Sequence, residues 1–271
     1  MKLRKIFIFI LVTWSLGPLF IQLYTSFCPT ETLINPFGNT IQNWTLSNYR
    51  DVLTASPPFY KYLTNSLIVG LSTTLLTLLL ALPASYSISK LPHKLTTLTK
   101  LFLISAALFP YVLLFLSLLE IARNLNLGNN LLAITIPYSG LCLPLAILIL
   151  SSAFNDIPND LEDASRIEGL NMIQRLRWVL IPLISPATAS TGILIFLFSW
   201  NEYPIALTWL SKTDLLTLPV AIGRIAGSSV YSVPYGAYAA ATVIGSIPLF
   251  IIMIIFQKQI VSGLTQGAIK G

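Results

Sequence analysis

Six stretches of this sequence run for 19 residues or more without a charged side chain: residues 6–30, 62–89, 101–119, 124–155, 178–201 and 225–257. A helix needs about 20 mostly apolar residues to cross the hydrocarbon core of a bilayer. Inside lipid the backbone must satisfy its own hydrogen bonds, which leaves helices as the economical solution for runs of this length. The windows therefore predict an all-α, polytopic membrane protein with six transmembrane helices, near 6–27, 64–89, 100–121, 131–154, 183–206 and 236–257. The remaining composition excludes the alternative of a buried soluble core. Only 10% of residues are charged, against about 25% in soluble domains, too few to clothe a water-facing surface.

The net charge of +6 reads as topology signal and not as a nucleic-acid surface, because Lys and Arg cluster beside spans. With both termini on the cytoplasmic side, the inner segments hold Lys2, Arg4, Lys5, Lys90, Lys94, Lys100, Arg166, Arg175, Arg177, Lys258 and Lys270. The outer ones hold Arg50, Lys61, Arg123, Lys212 and Arg224, a ratio of eleven to five that sets N- and C-termini inside. The basic start and first apolar run resemble a signal peptide, but the run is long and no small-x-small cleavage site follows, so it reads as a retained first helix. The organisation expected is a first helix and outer loop over 1–60, a transmembrane core over 61–260, and a cytoplasmic tail over 261–271. Cys28, Cys142 and His93 fit no metal or redox spacing.

A short polar segment at 155–182 interrupts the apolar runs and lies on the cytoplasmic side in this topology. Asn159 with Glu162 three residues on reads as a variant capping box. Asp160, Glu162 and Asp163 place negative charge near the helix start, where the dipole favours it. Gly169 suits a left-handed helix end, and Asn171 with Gln174 reads as a second cap. The expectation is a helix–turn–helix on the membrane face. Its Leu161, Ala164 and Ser165 would offer a small face to a cleft in another protein. Arg166, Arg175 and Arg177 are available for ion pairs or for phospholipid headgroups.

This segment resembles the "EAA" loop of ABC-importer permeases: Glu-Ala-Ala, three residues, Gly, then Leu-Pro or Ile-Pro. Here Asp163-Ala164-Ser165 precedes Glu168-Gly169, and Ile181-Pro182 follows. Asp163 stands where the motif has Glu, with Glu162 adjacent, and Ser165 replaces the second Ala. Ser199-Trp200-Asn201-Glu202-Tyr203 and Leu216-Thr217-Leu218-Pro219-Val220 are similar to segments of maltose-type carbohydrate permeases. So is the ending from Phe256 to Gly271, including Gly263, Leu264, Thr265, Gly267 and Lys270. The match runs from about residue 60 onward.

The resemblance implies the six-helix permease subunit of a type I ABC importer in a bacterial inner membrane. It implies a second homologous permease subunit, two ABC ATPase subunits docking on the 155–182 loop and the tail, an extracytoplasmic solute-binding protein, and a sugar-like substrate. The chain itself has no P-loop run, so ATP and Mg would be bound by the partner ATPase. It would be a non-catalytic subunit with no metal or other cofactor of its own. Asn201, Glu202 and Tyr203 are the candidate pathway or gate, since Asn and Tyr suit sugar hydroxyls. The other reading of the same three residues is a capped helix end packed on an outer loop. The stretch 207–235 reads either as a contact for a substrate-binding protein or as a plain connector. A stand-alone secondary carrier or channel is the alternative class, although no ionisable residue sits deep in an expected span.

Overall fold

A computed structural model describes residues 2–29, 44–226 and 233–266. Among them every regular element is helical. Four helices are long and apolar enough to cross a membrane, and six spans result if each of two bent helix pairs counts as one. The helices are α1 (Lys2–Ser26), α2 (Ser47–Thr54), α3 (Phe59–Ser89), α4 (His93–Ala107), α5 (Phe115–Asn124) and α6 (Leu131–Asn155). They continue with α7 (Asn159–Ile167), α8 (Met172–Arg175), α9 (Ile181–Leu183), α10 (Ser185–Asn201), α11 (Pro204–Trp209), α12 (Leu218–Ala226) and α13 (Tyr235–Gln266).

Two of the expected spans are broken, and proline explains both breaks. The single helix expected near 100–121 is instead α4 and α5, bent by 74°. Pro110 lies between them and lacks the N–H that would continue the ladder, so the chain restarts through the tight turn Tyr111–Leu114. The helix expected at 183–206 begins earlier, as Met172–Leu183, and turns by 83° before Ser185–Asn201. Pro186, just past the break, has no N–H for the carbonyl of Pro182, and upstream Leu176–Leu180 already widens into π-helical turns. By contrast α3, α6 and α13 run through Pro83, Pro137, Pro144 and Pro248 without breaking.

The chain forms two compact units. The first comprises residues 1–64 and 216–251. There the Asn48 amide donates to the carbonyls of Ser26 and Cys28, both at 2.9 Å, fastening α2 to the end of α1. Phe27 packs on Trp44 and Tyr49 in the same corner. Gly236 is required there, because a Cβ on it would lie 2.5 Å from the Asn48 amide. The stretch 207–235, read from sequence as one loop, contains α11's end and all of α12, and residues 227–232 lie outside the described set.

The second unit comprises residues 65–215 and 252–271. Its α6 packs on α4 and α10. One core cluster lies at the end of α3 and α6 that meets the polar segment: Ala81, Tyr86, Ala146, Leu150, Phe154, Leu180, Ile184 and Ile195. At the other end Asn129 accepts from the backbone N–H groups of Ser211 and Lys212 at 2.8 and 3.0 Å, tying two connections together.

Candidate functional site

The polar segment folds as the helix–turn–helix that its sequence specifies, with one capping error. Gly169 takes φ +78°, the left-handed conformation. Leu170 N–H donates to the Ser165 carbonyl and Gly169 N–H to that of Arg166, the paired bonds of a Schellman ending. Asn171 and Gln174 then form a reciprocal capping box, both bonds at 2.9 Å. The box expected from Asn159 and Glu162 does not form. The helix starts at Asn159 with Pro158 in the capping position and no side-chain cap, so Asn159 is already inside the helix and Glu162 lies one residue past the place a capping box needs.

Glu162 is only 4% exposed. The Tyr86 hydroxyl, from the end of α3, donates to its Oε1 at 2.6 Å. Lys90 Nζ reaches Oε2 at 2.5 Å. Arg166, one turn along α7, donates to Oε1 at 2.8 Å, and Arg175 of α8 stands 3.6 Å away. Tyr86 is itself fixed by the core cluster, edge-on to Phe154 with ring centres 5.6 Å apart. Burial opposes the charged form of Glu162, but the bonds from Lys90 and Tyr86, with the Lys90 charge and Arg166, outweigh it and hold the carboxyl at about 2. The carboxylate therefore stays ionised at any physiological pH.

The outward face of the segment differs from the one expected. Ser165 is buried and its hydroxyl donates back to the Glu162 carbonyl, so it cannot belong to a docking face with Leu161 and Ala164. On α7 and α8 the exposed large apolar side chains are Leu161, Ile167 at 88%, Met172 and Ile173 at 76%. Asp163 and Glu168 are exposed beside them, with Asp163 3.7 Å from Arg166. Pro182 is exposed in α9. The sequence marks Arg175 as a possible ion-pair partner, whereas Lys90 reads there only as a topology charge. Nothing in the sequence singles out Tyr86, which lies inside an apolar window.

The second group of sequence candidates is split by the fold. Glu202 is buried, and its carboxylate accepts from the Tyr138 hydroxyl and from the N–H groups of Ile205 and Ala206, at 3.0 and 3.2 Å for the latter two. It thus caps the start of α11. Asn201 and Tyr203 point outward, with the Asn201 amide donating to the Leu197 carbonyl at 2.8 Å. In the tail, Gly263, Leu264 and Thr265 continue α13, while Gly267 and Lys270 lie outside the described residues. No group of His, Cys, Asp and Glu among the described residues could hold a metal ion.

Long apolar helices, with a polar helix pair anchored to the end of α3, define a helical membrane protein. The backbone superposes on a chain of a bacterial ABC transporter involved in import of the acidic polysaccharide alginate, with TM-score 0.79 over 95% of both chains at 21% identity. Residues 6–266 match the family described as binding-protein-dependent transport system inner membrane component, and this chain belongs to that family. It is 38% identical over 99% of its length, and 94% of the relative's, to the sulfoquinovosyl glycerol transport system permease protein of Agrobacterium fabrum. It is 36% identical over 97% of its length to the trehalose transport system permease protein of Mycobacterium tuberculosis, covering 95% of that protein. The chain is accordingly an inner-membrane permease subunit of the ABC importer class, not itself an enzyme, and ATP hydrolysis belongs to a separate partner.

Proposed function

We propose that this permease subunit carries a sugar or sugar derivative inward, and that residues 155–182 transmit the motion of an ATPase to the spans. The observation that carries this reading is the exposure of the apolar Leu161 and Ile167 on the short charged helix α7, with Met172 and Ile173 exposed just past the Gly169 turn. Large apolar side chains at a water-facing helix corner mark a protein contact. Asp163, Glu168 and the Gly169 turn frame these side chains, and Pro182 leads from them into α10. The sugar assignment is supported by the relatives named as sulfoquinovosyl glycerol and trehalose systems. On this reading both termini are cytoplasmic, and the tail with Gly263, Leu264, Thr265, Gly267 and Lys270 adds a second contact. A homologous permease subunit completes the pathway, two ATPase subunits bind ATP and Mg, and a binding protein delivers substrate outside. Closure of the ATPase pair favours one of two permease states because it contacts them unequally.

Asn201 and Tyr203 are proposed to face the pathway, with Glu202 as their internal support. Its three accepted hydrogen bonds leave Glu202 little capacity to meet a sugar directly. Purification of the chain from its native membrane in mild detergent, with mass spectrometry of what accompanies it, tests the reading. A P-loop ATPase and a second permease are expected. A chain that purifies alone and still transports after reconstitution would instead be a stand-alone carrier.

A further inference from the structure

We propose that Glu162 is an internal latch joining the polar helix pair to the end of α3, and that Asp163, not Glu162, is the acid presented to the ATPase. This rests on the coupling role proposed above and assigns the two adjacent acids different work within it. Three elements meet at the one carboxylate. Tyr86 and Lys90 come from the end of α3 and just beyond it, Arg166 from α7, and Arg175 from α8. Oε1 is taken by Tyr86 and Arg166, Oε2 by Lys90. With its side chain 5% exposed, Glu162 has no free edge for a cation from another protein. Asp163 is the opposite case: its side chain is 63% exposed and its one ion pair in the described residues is a long contact to Arg166.

The latch is placed where force would pass. The exposed apolar side chains lie on the outer side of α7 and α8, and the carboxylate lies on their inner side. Behind it Tyr86 is packed into the core cluster with Leu150, Phe154, Leu180 and Ile184. A push on α7 cannot move it along α3 without separating Glu162 from Tyr86 and Lys90, and a buried carboxylate deprived of its partners is costly. Glu162 is thus a positioning residue: it makes the helix pair and the end of α3 move as one body.

The test uses the complex recovered with its ATPase, in a Cys28→Ser, Cys142→Ser background, with spin labels at Ser87→Cys and Asn159→Cys. Both positions are exposed. The expected result is one narrow label distance that stays the same without nucleotide and with ATP plus vanadate. In Glu162→Gln and in Lys90→Met the distribution should broaden and change with nucleotide while ATPase recovery is kept, and Lys90→Arg should restore the narrow distance. Asp163→Asn should lower ATPase recovery and leave the distance narrow. A wild-type distance that changes with nucleotide would overturn the latch, as would loss of the ATPase from Glu162→Gln but not from Asp163→Asn. Recovery of no ATPase from any variant, wild type included, defeats the coupling reading itself and the latch with it.

Discussion

Glu162 and Glu202 are equally buried, each 4% exposed, yet the fold solves their burial in different ways. Glu162 is held by charge: Lys90, Arg166 and Arg175 converge on it with one hydroxyl from Tyr86. Glu202 is held by neutral donors, two backbone N–H groups and the Tyr138 hydroxyl, and no ion pair reaches it among the described residues. The difference teaches what each site is for. Charged partners from separate elements make a long-reaching tie that joins bodies. Backbone donors three and four residues ahead make a cap that fixes one turn, with a single neutral hydroxyl from α6 beside it.

The largest expected effect breaks the first site. Glu162→Ala should cost about 3 kcal/mol of local stability at neutral pH, the free energy that corresponds to holding a glutamate near 2. Hydrogen exchange of the amides around Ala164 and Ile167 measures it, and unchanged protection would show that the ionic tie carries no load. The pH dependence has a definite sign. The folded carboxyl lies below its ordinary value, so its contribution is complete above about pH 4.3. It is lost as pH falls from there toward about 2. Emission from Trp178, in the same segment, should be flat between pH 7 and 5 and change only below that range.

Glu202→Ala should cost less, on the order of 1–2 kcal/mol for losing a helix cap. It is read as roughly tenfold faster exchange at Ile205 and Ala206, and Glu202→Gln should recover part of it. Effects spreading to α7 would contradict the contrast between a local cap and a long-range tie. Gly169→Ala should cost about 1 kcal/mol, from the left-handed backbone alone, because no atom lies within 4 Å of the added Cβ. Added salt has the smallest effect. It should loosen α7 slightly, since Lys90 and Arg166 are partly exposed, and leave α11 unaffected.

The two regions also separate what a linear reading can find. Within the helix pair, Gly169 and the Asn171–Gln174 box were legible because each completes its bonds within a few residues. The Asn159–Glu162 box failed because the helix starts one residue early, with Pro158 in the capping position. The Glu162 carboxylate instead meets Tyr86, 76 residues away. At the other end, the capped-turn reading of Glu202 matches its local bonds to Ile205 and Ala206, but Tyr138 is 64 residues distant and carried no signal.

By itself the sequence determined the all-helical class, the count of apolar runs, the polar segment between them and the ends of its helices. Hydrophobic length and capping are properties of contiguous residues, so they survive being read in one dimension. Only the tertiary structure decided that two spans bend, at Pro110 and before Pro186, while α3, α6 and α13 absorb their prolines. A freed carbonyl breaks a helix or not according to what packs beside it. Tertiary structure alone also decided which of two adjacent acids turns inward. The choice rests on Tyr86 and Lys90 arriving from another helix, and on a buried charge that persists only where such partners meet it.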